Sequence, residues 1–203
     1  MPSLRAALTW AAFGAAVSVP IAIAATSPLL QYRGPAYVAA CFAGILAMAL
    51  ILAQPLLAGG YLPGLPPRRG RRVHRWTGAA LVAAILVHVG GLWITSPPDM
   101  IDALLFTAPT AFSAWGVVAM WALFGAALLA ATRRRLRVRP KLWRFGHTAL
   151  AATAVLGSVV HAMLIVGTMG TASKAVLCIL VLAATAKAAV DLRTWTVLTR
   201  RGG

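Results

Sequence analysis

The sequence contains no glutamate, and only three aspartates, Asp99, Asp102 and Asp191, stand against nineteen basic residues. No carboxylate falls well inside an apolar run, which argues against an acid-assisted proton relay within such runs. Cysteine is equally scarce. Cys41 and Cys178 both lie in apolar surroundings, and no C-x-x-C occurs. That argues against a disulfide framework and against a dithiol redox site. There is no G-x-G-x-x-G following a strand pattern and no soluble stretch large enough for a flavin or nicotinamide domain.

What is present is apolar. Of 203 residues, 61% are hydrophobic, and mean hydropathy is +0.84. A soluble domain is nearer half apolar, so this composition marks an integral membrane protein, an all-α single transmembrane domain over 1–203. The formal net charge of +16 would suggest nucleic acid in a soluble chain. Here the basic residues cluster between apolar runs, as in loops held on the cytoplasmic side of a bilayer, and no nucleic-acid partner is expected.

A bilayer core needs about 20 apolar residues per helix. Six runs qualify: Leu4–Ala25, Tyr37–Leu57, Val73–Ile94, Ala111–Ala131, Trp143–Gly167 and Ala172–Ala189. The first, with Arg5 and the small residues of "AIAATS", also has features of a signal peptide, but its apolar stretch is longer than usual for one. The segments "PPRRGRR", "RRRLRVRPK" and "TRRGG" belong inside by the positive-inside rule. "TSPPDMIDALLFTAPT" carries two acids and no base and fits outside, with Arg33 and Lys174 as lone positives in the other outer loops. A six-transmembrane-helix bundle with both termini cytoplasmic satisfies every strong cluster. A bacterial inner membrane is the expected location.

All four histidines fall in two runs: His74 and His88 in the third, His147 and His161 in the fifth. Each pair is fourteen residues apart, just under four helical turns, so both members face one way and lie about 21 Å apart along the axis. The two runs cross the membrane in the same direction. His74 and His147 therefore share the inner level, and His88 and His161 the outer. Each cross-helix pair can hold an iron from opposite sides of a flat macrocycle. Haem suits an apolar slot with imidazole axial ligands, whereas one four-histidine zinc site is ruled out by the axial separation. Gly78 and Gly157 lie one turn from His74 and His161, and Gly90, Gly91 and Gly146 neighbour the histidines; these leave space, or serve close helix packing.

The stretches "HRWTGAALVAAILVH", "SAWGVVAMWALFGAALLAATRRRLR" and "LWRFGHTALAATAVLGSVVHAM" resemble the ferric-reductase-like transmembrane domain over about residues 37–190. Ferric reductases, NADPH oxidases and the haem-binding membrane subunit of the bacterial periplasmic methionine sulfoxide reductase system share that domain. Its specific part is the doubled H-x13-H, together with Gly116 at the start of the fourth run. The resemblance implies two b-type haems stacked across the bilayer, the inner on His74 and His147 and the outer on His88 and His161. No FAD/NAD(P)H module follows the sixth run in this sequence, so the layout resembles the short, membrane-only members. Electrons would then come from a separate flavoprotein, a bound flavin or a quinol on the cytoplasmic side.

The expected function is electron transfer from that donor to an outer acceptor: a periplasmic reductase, ferric iron or dioxygen. Arg71, Arg72, Arg75, Arg139, Lys141 and Arg144 stand near the inner level; Arg75 and Arg144 are candidates for haem propionates. Arg33 is a weaker candidate at the outer level. Trp115, Trp121 and Phe124 fit lipid-facing or packing roles. Lys187 and Asp191, four apart, are expected to pair. The competing reading is a cofactor-free transporter or assembly protein whose histidines relay protons.

Overall fold

The computed structural model describes residues 3–192. They form seven α-helices: α1 (Leu4–Ala25), α2 (Pro35–Ala58), α3 (Pro67–Thr95), α4 (Pro97–Leu104), α5 (Ala111–Thr132), α6 (Pro140–Leu164) and α7 (Thr171–Asp191). No strand occurs among the described residues. Six of the seven are long and apolar enough to cross a membrane, and they fall on the six expected runs. The exception, α4, is a two-turn helix in the acid-bearing loop, which the hydropathy pattern does not foretell. The basic end at 199–203 lies outside the described residues.

Proline sets most of the starts. Pro35, Pro67, Pro97 and Pro140 each open a helix, where the missing N–H costs nothing and φ is already helical. This is why α3 and α6 begin several residues before the apolar runs: Pro67 and Pro140 nucleate helix through arginine-rich sequence. At its N-terminus α1 is capped by Ser3, whose side chain accepts from Ala6 N at 3.3 Å.

Two antiparallel hairpins carry the architecture. α2 packs along α3, and α5 along α6; α3 touches α5, and α7 closes the circle by leaning on both α2 and α6. α1 lies outside this ring, against α2 and α7. The two histidine helices, α3 and α6, have no comparable backbone approach to each other. Association of apolar helices in lipid rests on close van der Waals fit, which small residues allow. α2 accordingly buries Ala40, Ala43, Ala47, Ala49 and Ala53. A Cβ on Gly91 of α3 would come within 2.9 Å of both Ala36 O and the Ala40 Cβ of α2, so that crossing requires glycine. Ile45, Ile51, Leu81, Leu123, Val155, Leu177 and Val181 fill the centre.

Lys174 departs from expectation. It lies in the first turn of α7 rather than in an open loop, is only 7% exposed, and its Nζ donates to Ile165 O at 2.5 Å. Ile165 is the C-cap of α6. The ammonium therefore caps the carbonyl end of the preceding helix, where cations are favoured. The expected Lys187–Asp191 pair forms at 2.8 Å, and Tyr61 joins it through a 2.5 Å hydrogen bond to Asp191.

Candidate functional site

Each histidine leans on a backbone carbonyl of the membrane-length helix before it. At the end bearing α4, His88 Nδ1 donates to Ala40 O at 2.8 Å and His161 Nδ1 to Phe112 O at 2.7 Å. At the arginine-rich end, His74 Nδ1 donates to Gln54 O at 3.3 Å and His147 Nδ1 to Ala126 O at 3.2 Å. A carbonyl oxygen only accepts, so the bond puts the proton on Nδ1 and leaves the Nε2 lone pair free. The bonds fix the orientation of all four rings, and in a neutral imidazole they leave Nε2 unprotonated and able to bind a metal.

The acceptors repeat as regularly as the histidines. Ala40 and Gln54 are fourteen apart on α2, and so are Phe112 and Ala126 on α5. The two hairpins thus repeat one design, shifted by 72 residues on α2 and α5 and by 73 on α3 and α6.

Glycine completes the design at the α4 end. In a helix the carbonyl of residue i already accepts from residue i+4, which is Gly44 for Ala40 and Gly116 for Phe112. The incoming imidazole must reach that carbonyl past the i+4 residue. A Cβ on Gly44 would sit 2.9 Å from His88 Nδ1, and one on Gly116 would sit 2.6 Å from His161 Nδ1. Only a bare backbone admits the rings. The His88 and His161 ring centroids are 6.5 Å apart, with planes 83° to each other, and Phe112 meets His161 edge-on at 5.9 Å.

The arginine-rich end is more polar. Gln54, besides lending its carbonyl to His74, donates from Nε2 to Thr77 Oγ1 at 2.9 Å. Trp143 stacks on His147 with centroids 5.5 Å apart and planes 16° from parallel. The Arg133 guanidinium lies over the same indole at 4.1 Å.

The other expected site residues divide. Gly78 faces Gln54, where a Cβ would stand an ordinary 3.6 Å from Oε1. Gly157 sits against α5 instead: its Cβ would fall 3.0 Å from Ala119 Cβ and Trp115 O, so it serves the α5–α6 crossing. Arg75 and Arg144 are exposed on the helix surfaces, and among the described residues no carboxylate pairs with either. Trp115 and Trp121 are 44% and 59% exposed, as lipid-facing side chains are, with Phe124 edge-on to Trp121 at 6.0 Å. Gly44, Gln54 and Trp143 escaped the sequence reading. Sliding the sequence on itself by 72 residues, one fewer than the interval between the histidine pairs, would have matched Gly44 to Gly116.

Among the described residues, no three His, Cys, Asp or Glu side chains converge as a single metal-binding group. The geometry offers instead two histidines toward each end of the bundle. A family model described as "Ferric reductase like transmembrane component" matches residues 42–158, more than half of the chain, a span that includes His74, His88 and His147 and stops just short of His161. No curated protein and no solved structure matches.

Proposed function

This chain belongs to the ferric-reductase-like transmembrane family, and from that premise we propose that it passes electrons across a membrane through two b-type haems. One is held by His74 and His147, the other by His88 and His161. Four Nδ1–carbonyl hydrogen bonds, which leave four Nε2 atoms free as ligands, carry this reading.

The residues fit the group. Imidazole nitrogens bind a metal at about 2 Å, and two such bonds fit between rings whose centroids stand 6.5 Å apart. α3 and α6 do not close on each other, which suits a flat ligand between them. Haem, when bound, supplies one-electron chemistry at a potential tuned by ligand, burial and hydrogen bonding.

The chain's own residues do the rest. The carbonyls of Ala40, Gln54, Phe112 and Ala126 hold each imidazole in one tautomer and raise its basicity as a ligand. Gly44 and Gly116 admit the rings, and Gly78 leaves room beside Gln54. Ile51, Leu81, Leu123 and Val155 keep water out of the interior. Arg75 and Arg144 stand near the arginine-rich end as partners for propionates.

That end faces the cytoplasm in this reading, by the positive-inside rule, with both termini on the same side of a bacterial inner membrane. A separate flavoprotein, a partner's flavin or a quinol gives electrons there. A periplasmic reductase, ferric iron or dioxygen takes them at the α4 end.

The test is a reduced-minus-oxidised absorption spectrum of the detergent-purified protein, with haem counted per chain. A b-type signal near two haems per chain, falling by one in His74→Ala and by the other in His88→Ala, is the expected result. A colourless protein after haem supplementation would overturn the reading.

A further inference from the structure

The turn between α5 and α6 holds a cavity of about 280 Å³ lined by Arg133, Arg134, Arg137, Val138, Pro140 and Trp143. Three arginines line it, and among the described residues no carboxylate pairs with any of them. All three aspartates of the sequence are accounted for elsewhere: Asp99 accepts from Ser96, Asp102 from Thr107, and Asp191 from Lys187 and Tyr61. The positive end of the α6 dipole, opening at Pro140, adds to the same field.

The Trp143 ring forms part of the wall, while its Nε1 is sealed off from solvent and takes no part in the binding. The turn also keeps an arginine where glycine is the easier residue. Arg137 has φ 48°, and Val138 N reaches back to Arg133 O at 3.0 Å. This is a helix-terminating motif that usually takes glycine at the left-handed position.

We propose that this cavity binds the phosphate group of an anionic phospholipid. A phosphate supplies the acceptor oxygens that the arginines lack. A soluble phosphate ester such as flavin mononucleotide shares that chemistry, but the surroundings favour lipid. Leu128, Leu136 and Leu142, close in sequence to the lining residues, are all more than 60% exposed, as surfaces for acyl chains. The volume suits a headgroup, since pockets for drug-sized ligands run from about 300 to 1,000 Å³. The Trp143 ring is already covered by Arg133 and His147, leaving no platform for a flavin ring.

The test reconstitutes the full chain into nanodiscs of phosphatidylcholine with or without phosphatidylglycerol and reads retained lipid by native mass spectrometry. Wild type is expected to retain phosphatidylglycerol selectively. In the double variant Arg134→Gln/Arg137→Gln, retention should weaken on the order of tenfold, while Arg68→Gln/Arg69→Gln, the same charge removed elsewhere, leaves it unchanged. Equal retention by both double variants, or equal retention of phosphatidylcholine, overturns the proposal. Flavin mononucleotide binding to phosphatidylcholine discs, lost in Arg134→Gln/Arg137→Gln, overturns the lipid source and assigns the cavity to a soluble phosphate. Circular dichroism confirms that the variants fold. Retention is read without haem, so it stands apart from the electron-transfer reading, which the haem count decides.

Discussion

The two histidine pairs are built from one repeated hairpin and yet are held differently. His88 and His161 are clamped by short bonds, 2.8 and 2.7 Å, to carbonyls bared by Gly44 and Gly116. Their surroundings are backbone and apolar side chain. His74 and His147 make longer bonds, 3.3 and 3.2 Å, in company with Gln54, Thr77, Trp143 and Arg133. Even within that pair the hairpins diverge: Trp143 stacks on His147, while the matching position before His74 is Gly70, buried near Leu57 O. The lesson is one of tolerance. Where a ligand is set by backbone packed at contact, any added atom displaces it; where side chains set it, substitution tunes the site instead.

The comparison can be broken most severely at Gly116. Gly116→Ala puts a Cβ 2.6 Å from the His161 ring and should remove the haem of the His88/His161 centre while sparing the other, read as haem per chain and loss of one component in a redox titration. Gly78→Ala, whose Cβ meets only Gln54 Oε1 at 3.6 Å, should keep both. Loss of haem from Gly78→Ala, or none from Gly116→Ala, would reverse the assignment of tolerance.

Next in size is Gly157→Ala, which drives α6 off Ala119 and Trp115. Overpacking of this kind costs about 1–3 kcal/mol, and the thermal midpoint of the purified protein should fall without a change in haem count. Gln54→Leu should cost about 1 kcal/mol for the lost Thr77 bond. Because His74 bonds the backbone carbonyl and not the amide, ligation should survive, and the potential of the His74/His147 centre should move while that of His88/His161 does not.

The smallest effect lies outside both sites. Partial burial, and after it the neighbouring Asp191 carboxylate, push the Tyr61 phenol up to about 12. The folded state thus favours the protonated phenol. Its contribution is fully present below the ordinary tyrosine value of about 10 and fades as pH climbs through the folded value. A spectroscopic titration should show Tyr61 ionising late, and Tyr61→Phe should remove one late-ionising phenol. The cost of Tyr61→Phe at neutral pH should stay within about 1 kcal/mol.

Much of this could be read in advance. Hydropathy located the six long helices because membrane-length apolar runs leave few alternatives, and helical periodicity put each histidine pair on one face. The starts of α3 and α6 were misjudged because Pro67 and Pro140 begin helix in charged sequence, where a hydropathy window sees loop. Lys174 looked like a loop cation because its acceptor, Ile165 O, is a backbone group with no residue signature. The same blindness hid the four carbonyls that orient the histidines, and with them the reason for Gly44.

By itself the sequence determined the composition of a membrane chain, its six long helices, the single-faced spacing of its histidines and the family to which it belongs. These follow from transfer free energy and helical pitch, which act locally along the chain. Only the tertiary structure decided which carbonyl each imidazole meets, that Gly157 serves packing while Gly44 and Gly116 admit the imidazole rings, and that three arginines line one cavity at the α5–α6 turn. Those outcomes depend on which helix crosses which, and at what distance. Backbone atoms are the same at every position, so their use becomes visible only once two helices touch.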